Sequence, residues 1–214
     1  RFDYVGDIPV VAMNESPFVG IDGVVKNASD FILALVILIL LLPFMLCIAL
    51  AVKVTSPGPI IFKQRRYGLN GEEIVVYKFR SMTVAEDGPN VVQAKKNDQR
   101  FTKIGAFLRR TSLDELPQFI NVLKGDMSLV GPRPEIPFHV EHFKEEIPRY
   151  LVRQQVRPGL TGWAQINGLR GDTDIAERIR YDIWYIENWT VALDIKILFR
   201  TVFGGKMVND EKIQ

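Results

Sequence analysis

One cysteine among 214 residues excludes an internal disulfide. That residue, Cys47, stands inside an apolar run, where a thiol is ordinarily inert packing. Histidine is nearly as scarce. His139 and His142 are spaced i, i+3 with no third soft ligand nearby, which argues against a zinc site. A dominant charge sign is missing as well: 27 basic against 25 acidic residues leave +2, with a pI near 8.6. Without a long basic run, nucleic acid is not an expected partner. There is no internal repeat and no low-complexity segment. The glycine-rich stretch from Gly159 to Gly171 matches neither a Walker loop nor the dinucleotide fingerprint. The chain opens without a methionine or a signal-peptide n-region. It reads as a piece of a longer protein, with residues 1–25 the tail of a preceding domain or a linker.

What the chain does have is a charge-free run of 22 residues, Phe31 to Val52. That is long enough for a bilayer helix, which needs roughly 20 residues. Sixteen of the 22 are Ile, Leu, Val or Phe. At about 0.3 to 0.6 kcal/mol each, insertion gains on the order of 5–10 kcal/mol. Pro43 costs about 3 kcal/mol in a helix interior, so insertion wins while the proline kinks or breaks the helix. A straight span puts the flanks on opposite sides of the membrane; a bent, re-entrant hairpin puts them on one side. Lys26 precedes the run, and Lys53, Lys63, Arg65 and Arg66 follow it. The larger cluster argues that the C-terminal part is cytoplasmic, but the residues alone leave bent and straight both open.

Beyond the run, "TSPGPI" (Thr55 to Ile60) breaks the helix as the chain leaves the bilayer. Asn70-Gly71 predicts a hairpin between Ile60–Tyr67 and Ile74–Phe79. Residues 87–100 read as a polar loop, and "IPVVAM" near the start as a strand. Helical periodicity appears at about 103–110, 114–124, 135–154, 173–188 and 193–203. The fold class is therefore α+β, mainly helical: a tail (1–25), a membrane segment (26–54), a compact domain with a small β-hairpin (55–205) and a C-terminal tail (206–214).

The chemistry centres on "TSLDELPQF", Thr111 to Phe119. Ser112 and Glu115 have the spacing of a capping box, and acids in a first turn complement the helix dipole. Asp114 and Glu115 are thus explained either as a helix start or as reactive acids. Their surroundings favour chemistry. Arg109 and Arg110 lie just upstream. Pro132 and Pro134 hold Arg133 on stiff, extended backbone, a fork suited to a phosphate. Lys78 and Arg80 of "YKFRSM" alternate onto one strand face.

The stretches "SPGPIIFKQRRYGLNG", "YKFRSM", "LRRTSLDELPQFINVLKGDMSLVGPRPE" and "RPGLTGWAQINGLRG", with the apolar run ahead of them, resemble the bacterial sugar transferases, the monotopic phosphoglycosyl transferases. The resemblance covers roughly residues 25–203. It implies transfer of a hexose phosphate from a UDP-sugar to undecaprenyl phosphate, with release of UMP. It implies Asp114 as a nucleophile that forms a covalent phosphosugar adduct, and Glu115, with Asp114, as holder of Mg²⁺. Lys78, Arg80 and Arg133 would bind phosphate, and Arg157 and Gln165 would contact nucleotide or sugar. The family also implies a re-entrant helix-break-helix with its break at Pro43. The protein would then sit in the bacterial inner membrane with its catalytic domain on the cytoplasmic face, with a homo-oligomer as one candidate state. The sugar would be a plain hexose, glucose or galactose, or else an N-acetylated one. Rival readings are a Mg²⁺-dependent UDP-sugar pyrophosphatase and a phosphate-binding membrane assembly module. Tyr181, Trp184, Tyr185 and Trp189 are either core packing or an interfacial belt.

Overall fold

A computed structural model describes residues 2–5, 8–11, 18, 20–83, 99–135, 137–171 and 173–204. The chain begins with an antiparallel pair, β1 (Phe2–Val5) and β2 (Ile8–Val11), the second strand falling within "IPVVAM". One long helix follows, α1 (Gly20–Thr55), 36 residues, or roughly 54 Å at 1.5 Å per residue. It starts six residues ahead of the expected boundary at residue 26 and runs through Pro43 without interruption. A helix-break-helix was expected there. A proline removes a single ladder hydrogen bond, and on both sides of Pro43 the helix is held by packing against the domain.

That packing defines α1. Gly23, Lys26, Asp30, Ala34, Met45, Ile48 and Val52 are buried, and half-buried Ile37, Leu38 and Leu41 fill the middle. The spacing of three and four residues is one helix face. The opposite face is apolar and bare: Ile39, Leu40, Leu46 and Leu50 are each more than 60% exposed. Among the described residues this helix alone is long and apolar enough to cross a membrane.

Lys26 is not a flanking topology charge. It is 3% exposed, and its ammonium reaches Asp30 Oδ1 at 3.2 Å, Asp194 Oδ2 at 2.5 Å and the Val130 carbonyl at 3.1 Å. Asp30 also accepts from Ser128 Oγ at 2.6 Å, and Asp194 from Tyr185 at 2.7 Å and Trp189 at 3.1 Å. At the far end, Arg80 donates to the Ser56 and Pro57 carbonyls at 2.7 and 2.5 Å. Both ends of α1 are therefore fastened to the same folded domain.

The expected hairpin is present as β3 (Ile61–Tyr67) against β4 (Glu73–Phe79). Its connection is longer than a two-residue turn: Gly68 N donates to the Glu72 carbonyl at 2.7 Å around Asn70 and Gly71, both at positive φ. α2 (Gly105–Arg110) leads into the acidic segment, and α3 (Gln118–Lys124) ends at Gly125, whose φ of 83° is the left-handed cap glycine tolerates. Asn121 of α3 is fully buried. Its side-chain amide accepts from Tyr77 N at 3.0 Å and donates to the Val75 carbonyl at 2.7 Å. This two-way bond fixes β4, and hence Lys78, against α3.

The span read as one helix over 135–154 divides into α4 (Pro137–Glu146) and a 3₁₀ stretch, Tyr150–Gln155. A parallel pair, β5 (Ser128–Val130) and β6 (Gly159–Thr161), was not anticipated. Strands of three residues carry no readable alternation. Gly159 belongs there because its backbone lies against Gly131, where an added Cβ would stand 2.1 Å from the Gly131 nitrogen. The chain closes with α5 (Trp163–Ile166), α6 (Ile175–Glu187), capped by the Asp174 side chain, and α7 (Val191–Phe203), capped by Thr190.

Tyr185 lies in the core, while Trp184 is 42% exposed and stacks on Trp163 with centroids 4.8 Å apart. His142 meets Glu146 and the Phe143 ring. The His139 side chain, most of the polar loop read over 87–100, and the C-terminal tail lie outside the described residues.

Candidate active site

The acids do not cap a helix. Ser112, Leu113, Asp114 and Glu115 form a tight 3₁₀ turn ahead of α3, and the Ser112 hydroxyl makes no capping bond. Ser112 itself has φ 57°, a left-handed conformation that costs a non-glycine residue on the order of 1 kcal/mol. The turn sends the adjacent acids to different surroundings.

Glu115 is clasped by cations. Arg133 Nη2 lies 2.7 Å from Oε1, Lys78 Nζ 3.2 Å from the same oxygen, and Arg170 Nη2 3.4 Å from Oε2. Burial alone would raise the Glu115 pKa, but Arg133, Lys78 and Arg170 outweigh it and hold the carboxyl well below its ordinary range. Burial pushes the Lys78 ammonium below its usual value, with Glu115 opposing. Glu115 keeps the Arg133 guanidinium firmly protonated.

Asp114 is 7% exposed, and among the described residues its carboxylate has neither hydrogen bond nor ion pair. Burial, and next the charge of Glu115, push its pKa up to about 6; Lys78, Arg109 and Arg133 work the other way. The sequence left this aspartate either a helix-start acid or a reactive one, and the family resemblance implied a nucleophile. The structure gives a carboxylate still largely ionised near pH 7, more basic than usual and without a bonding partner among the described residues. Such a group can attack an electrophile.

Similarity to known proteins agrees with these motifs. The model of the bacterial sugar transferase family matches residues 21–206. The chain belongs to the bacterial sugar transferase family. It is 54% identical over 209 residues to the UDP-glucose:undecaprenyl-phosphate glucose-1-phosphate transferase of Escherichia coli K12, covering 96% of this chain and 45% of that protein. It is 48% identical to the exopolysaccharide production protein PSS of Rhizobium leguminosarum, over 85% of this chain and 94% of that one. The undecaprenyl-phosphate galactose phosphotransferase of Salmonella typhimurium is 42% identical, over 82% and 39%. The chain thus spans less than half the length of the Escherichia coli and Salmonella relatives.

Of the residues singled out in this chain, Lys78, Asp114, Glu115 and Arg133 converge. Arg80, Arg157 and Gln165 are engaged differently. Arg80 lies past the end of β4, is 6% exposed and fastens the helix exit. Arg157 donates to Asn27 of α1 at 2.7 Å. Gln165 is buried on α5, its Oε1 without a partner among the described residues. Arg170 was missed, although it lies in the quoted "NGLRG". Arginine in a glycine-rich loop is usually a surface residue, and packing alone aims this one at Glu115 and, at 3.1 Å, at Ser112 Oγ.

The donor set for a divalent ion is small. Mg²⁺ commonly takes one or two carboxylates and completes its shell with water and substrate phosphate. The open oxygens of Asp114 fit that habit. Glu115 fits only once its cations turn to another anion.

Proposed function

We propose that this chain catalyses transfer of a hexose-1-phosphate from a UDP-sugar to undecaprenyl phosphate, releasing UMP, and so starts assembly of a membrane-linked glycan. The observation that carries the reading is the split between the adjacent acids: a basic Asp114 without a bonding partner among the described residues, beside a Glu115 that gathers three cations. In this reading the donor's diphosphate takes over Lys78, Arg133 and Arg170 from Glu115. The cations are already assembled on an anion, so little reorganisation is needed when the substrate arrives.

Asp114 Oδ then attacks the sugar-linked phosphorus, and the bond from that phosphorus to the bridging oxygen breaks. UMP leaves with the bond's electron pair, and an aspartyl phosphosugar remains. An oxygen of undecaprenyl phosphate attacks the same phosphorus in the second step, and the aspartyl oxygen leaves, restoring Asp114. Mg²⁺, when bound by Asp114 and the Glu115 freed of its cations, would neutralise diphosphate charge. Positioning and charge neutralisation supply the acceleration, since a carboxylate is a weak nucleophile.

The bare face of α1 supports a bilayer as the second surface. A buried face running from Gly23 to Val52, with both ends fastened to one domain, favours an anchor that enters and leaves by the same side, in the bacterial inner membrane with the domain on its cytoplasmic face. Pro43 would then bend the helix within it.

The test is incubation with labelled UDP-glucose, the sugar in the Escherichia coli relative's name, in the presence and absence of undecaprenyl phosphate. Label held on Asp114 without lipid and chased onto lipid when it is added is the expected result. Release of soluble sugar phosphate would instead indicate a pyrophosphatase, and no turnover a binding module.

A further inference from the structure

Behind the two loops that carry Arg133 and Arg170 runs a second set of charges. Arg153 is 5% exposed. Its Nη2 donates to the main-chain carbonyl of Arg133 at 2.9 Å and to Asp182 Oδ2 at 2.8 Å, and its Nη1 lies 3.4 Å from Glu135 Oε1. The same Glu135 oxygen accepts from Arg178 Nη1 at 3.2 Å. Arg178 Nη2 in turn donates to the Gly171 carbonyl at 2.7 Å and to Thr173 Oγ1 at 2.9 Å. Gly171 follows Arg170 directly and holds a left-handed φ of 76°. A continuous chain of polar contacts thus joins the backbone of one arginine loop to the backbone of the other. Among the described residues two positive and two negative side chains compose it, and their charges offset one another. Buried ion pairs add little net stability compared with apolar packing. What they supply is direction, because each guanidinium fork satisfies several acceptors at once in a fixed plane.

We propose that Glu135 and Arg178 are positioning residues that set the spacing between the Arg133 and Arg170 loops, so that both guanidinium groups meet the same oxyanion. The inference rests on the reading that Arg133 and Arg170 bind the donor's diphosphate. Neither Glu135 nor Arg178 touches the substrate; Arg178 acts on Arg170 through the Gly171 carbonyl, and Glu135 joins that contact to the Arg133 loop.

The test is a double-mutant cycle on the full chain in membranes, read as kcat/KM for UDP-glucose. Arg178→Met should lower kcat/KM about tenfold in the wild-type background and less than twofold in an Arg170→Ala background. Removing the tether matters only while the tethered arginine is there. A purely structural role would give the same fold-loss in both backgrounds, and that result would overturn the coupling. So would an undiminished Arg178→Met. If Arg178→Met does not accumulate as folded protein, the same cycle with Glu135→Gln, which keeps size and one acceptor oxygen but removes the charge that draws both guanidinium groups together, gives the decision on the same criteria. An Arg170→Ala variant with full activity would sink the phosphate-binding reading itself, and the coupling with it. An impaired Arg170→Ala with additive losses would sink the coupling alone.

Discussion

The buried charges around Lys26 and those around Asp114 are assembled on opposite principles. Around Lys26 every charged group is matched: Lys26 has two carboxylates and a carbonyl, and Asp194 also has a phenol and an indole. Around Asp114 the matching stops one residue short. Glu115 takes three cations and Asp114, next in the chain, takes none within bonding reach among the described residues. The first cluster fastens the apolar helix. The second keeps one anion costly to bury, and that cost is what makes it reactive.

The sharpest way to break the comparison is to neutralise each centre in turn. Asp114→Asn should lower turnover roughly 10⁴-fold or more and leave the fold intact, read as phosphosugar transfer to lipid alongside a melting curve. Lys26→Met should do the reverse. It leaves Asp30 and Asp194 buried without their cation, a loss of about 3–5 kcal/mol, or a Tm lower by roughly 10 °C. Turnover by the fraction that remains folded should stay close to that of the parent.

A pH series sharpens the contrast further. The folded pKa of Asp114 is raised to about 6 from an ordinary 3.8. The folded state therefore binds more protons than the unfolded state between those values, and stability falls as pH rises through that window. In EDTA, wild type should lose about 2–3 kcal/mol relative to Asp114→Asn from pH 4 to pH 6.5, and the two curves should run parallel above it. Lys78→Met should extend the decline to higher pH, since Lys78 lowers the Asp114 pKa. Chemical denaturation at each pH checks both statements. The smallest effect is expected at Arg80. Arg80→Met should cost about 1–3 kcal/mol for the carbonyls left unpaired at the helix exit. It should raise the KM for UDP-glucose less than Lys78→Met does.

The site was partly legible before the structure. Lys78, Asp114, Glu115 and Arg133 were identified because each sits in a motif with restricted backbone or dense charge, and the family resemblance tied the motifs together. The capping-box reading failed because Ser112 and Glu115 have the right spacing and the wrong backbone: a left-handed serine turns its hydroxyl toward Arg170. Arg80 was placed with Lys78 by strand alternation, but β4 ends at Phe79, so alternation has no hold on it. Glu135 stood only as a charge closing the "GPRPE" motif, and Arg153, Arg178 and Asp182 showed no signal, as isolated charges in helical or loop stretches rarely do.

By itself the sequence determined what is set by near neighbours: the long apolar helix, the hairpin at Asn70-Gly71, the closing helices and the motif that holds the acids. Periodicity and turn chemistry act over a few residues and can be read one window at a time. Only the tertiary structure decided which cations bond Glu115, why none among the described residues comes within bonding reach of Asp114, that Lys26 is a buried fastening, and that α1 packs lengthwise on its domain. Those depend on side chains distant in sequence meeting in low dielectric, where partner and distance set the energy.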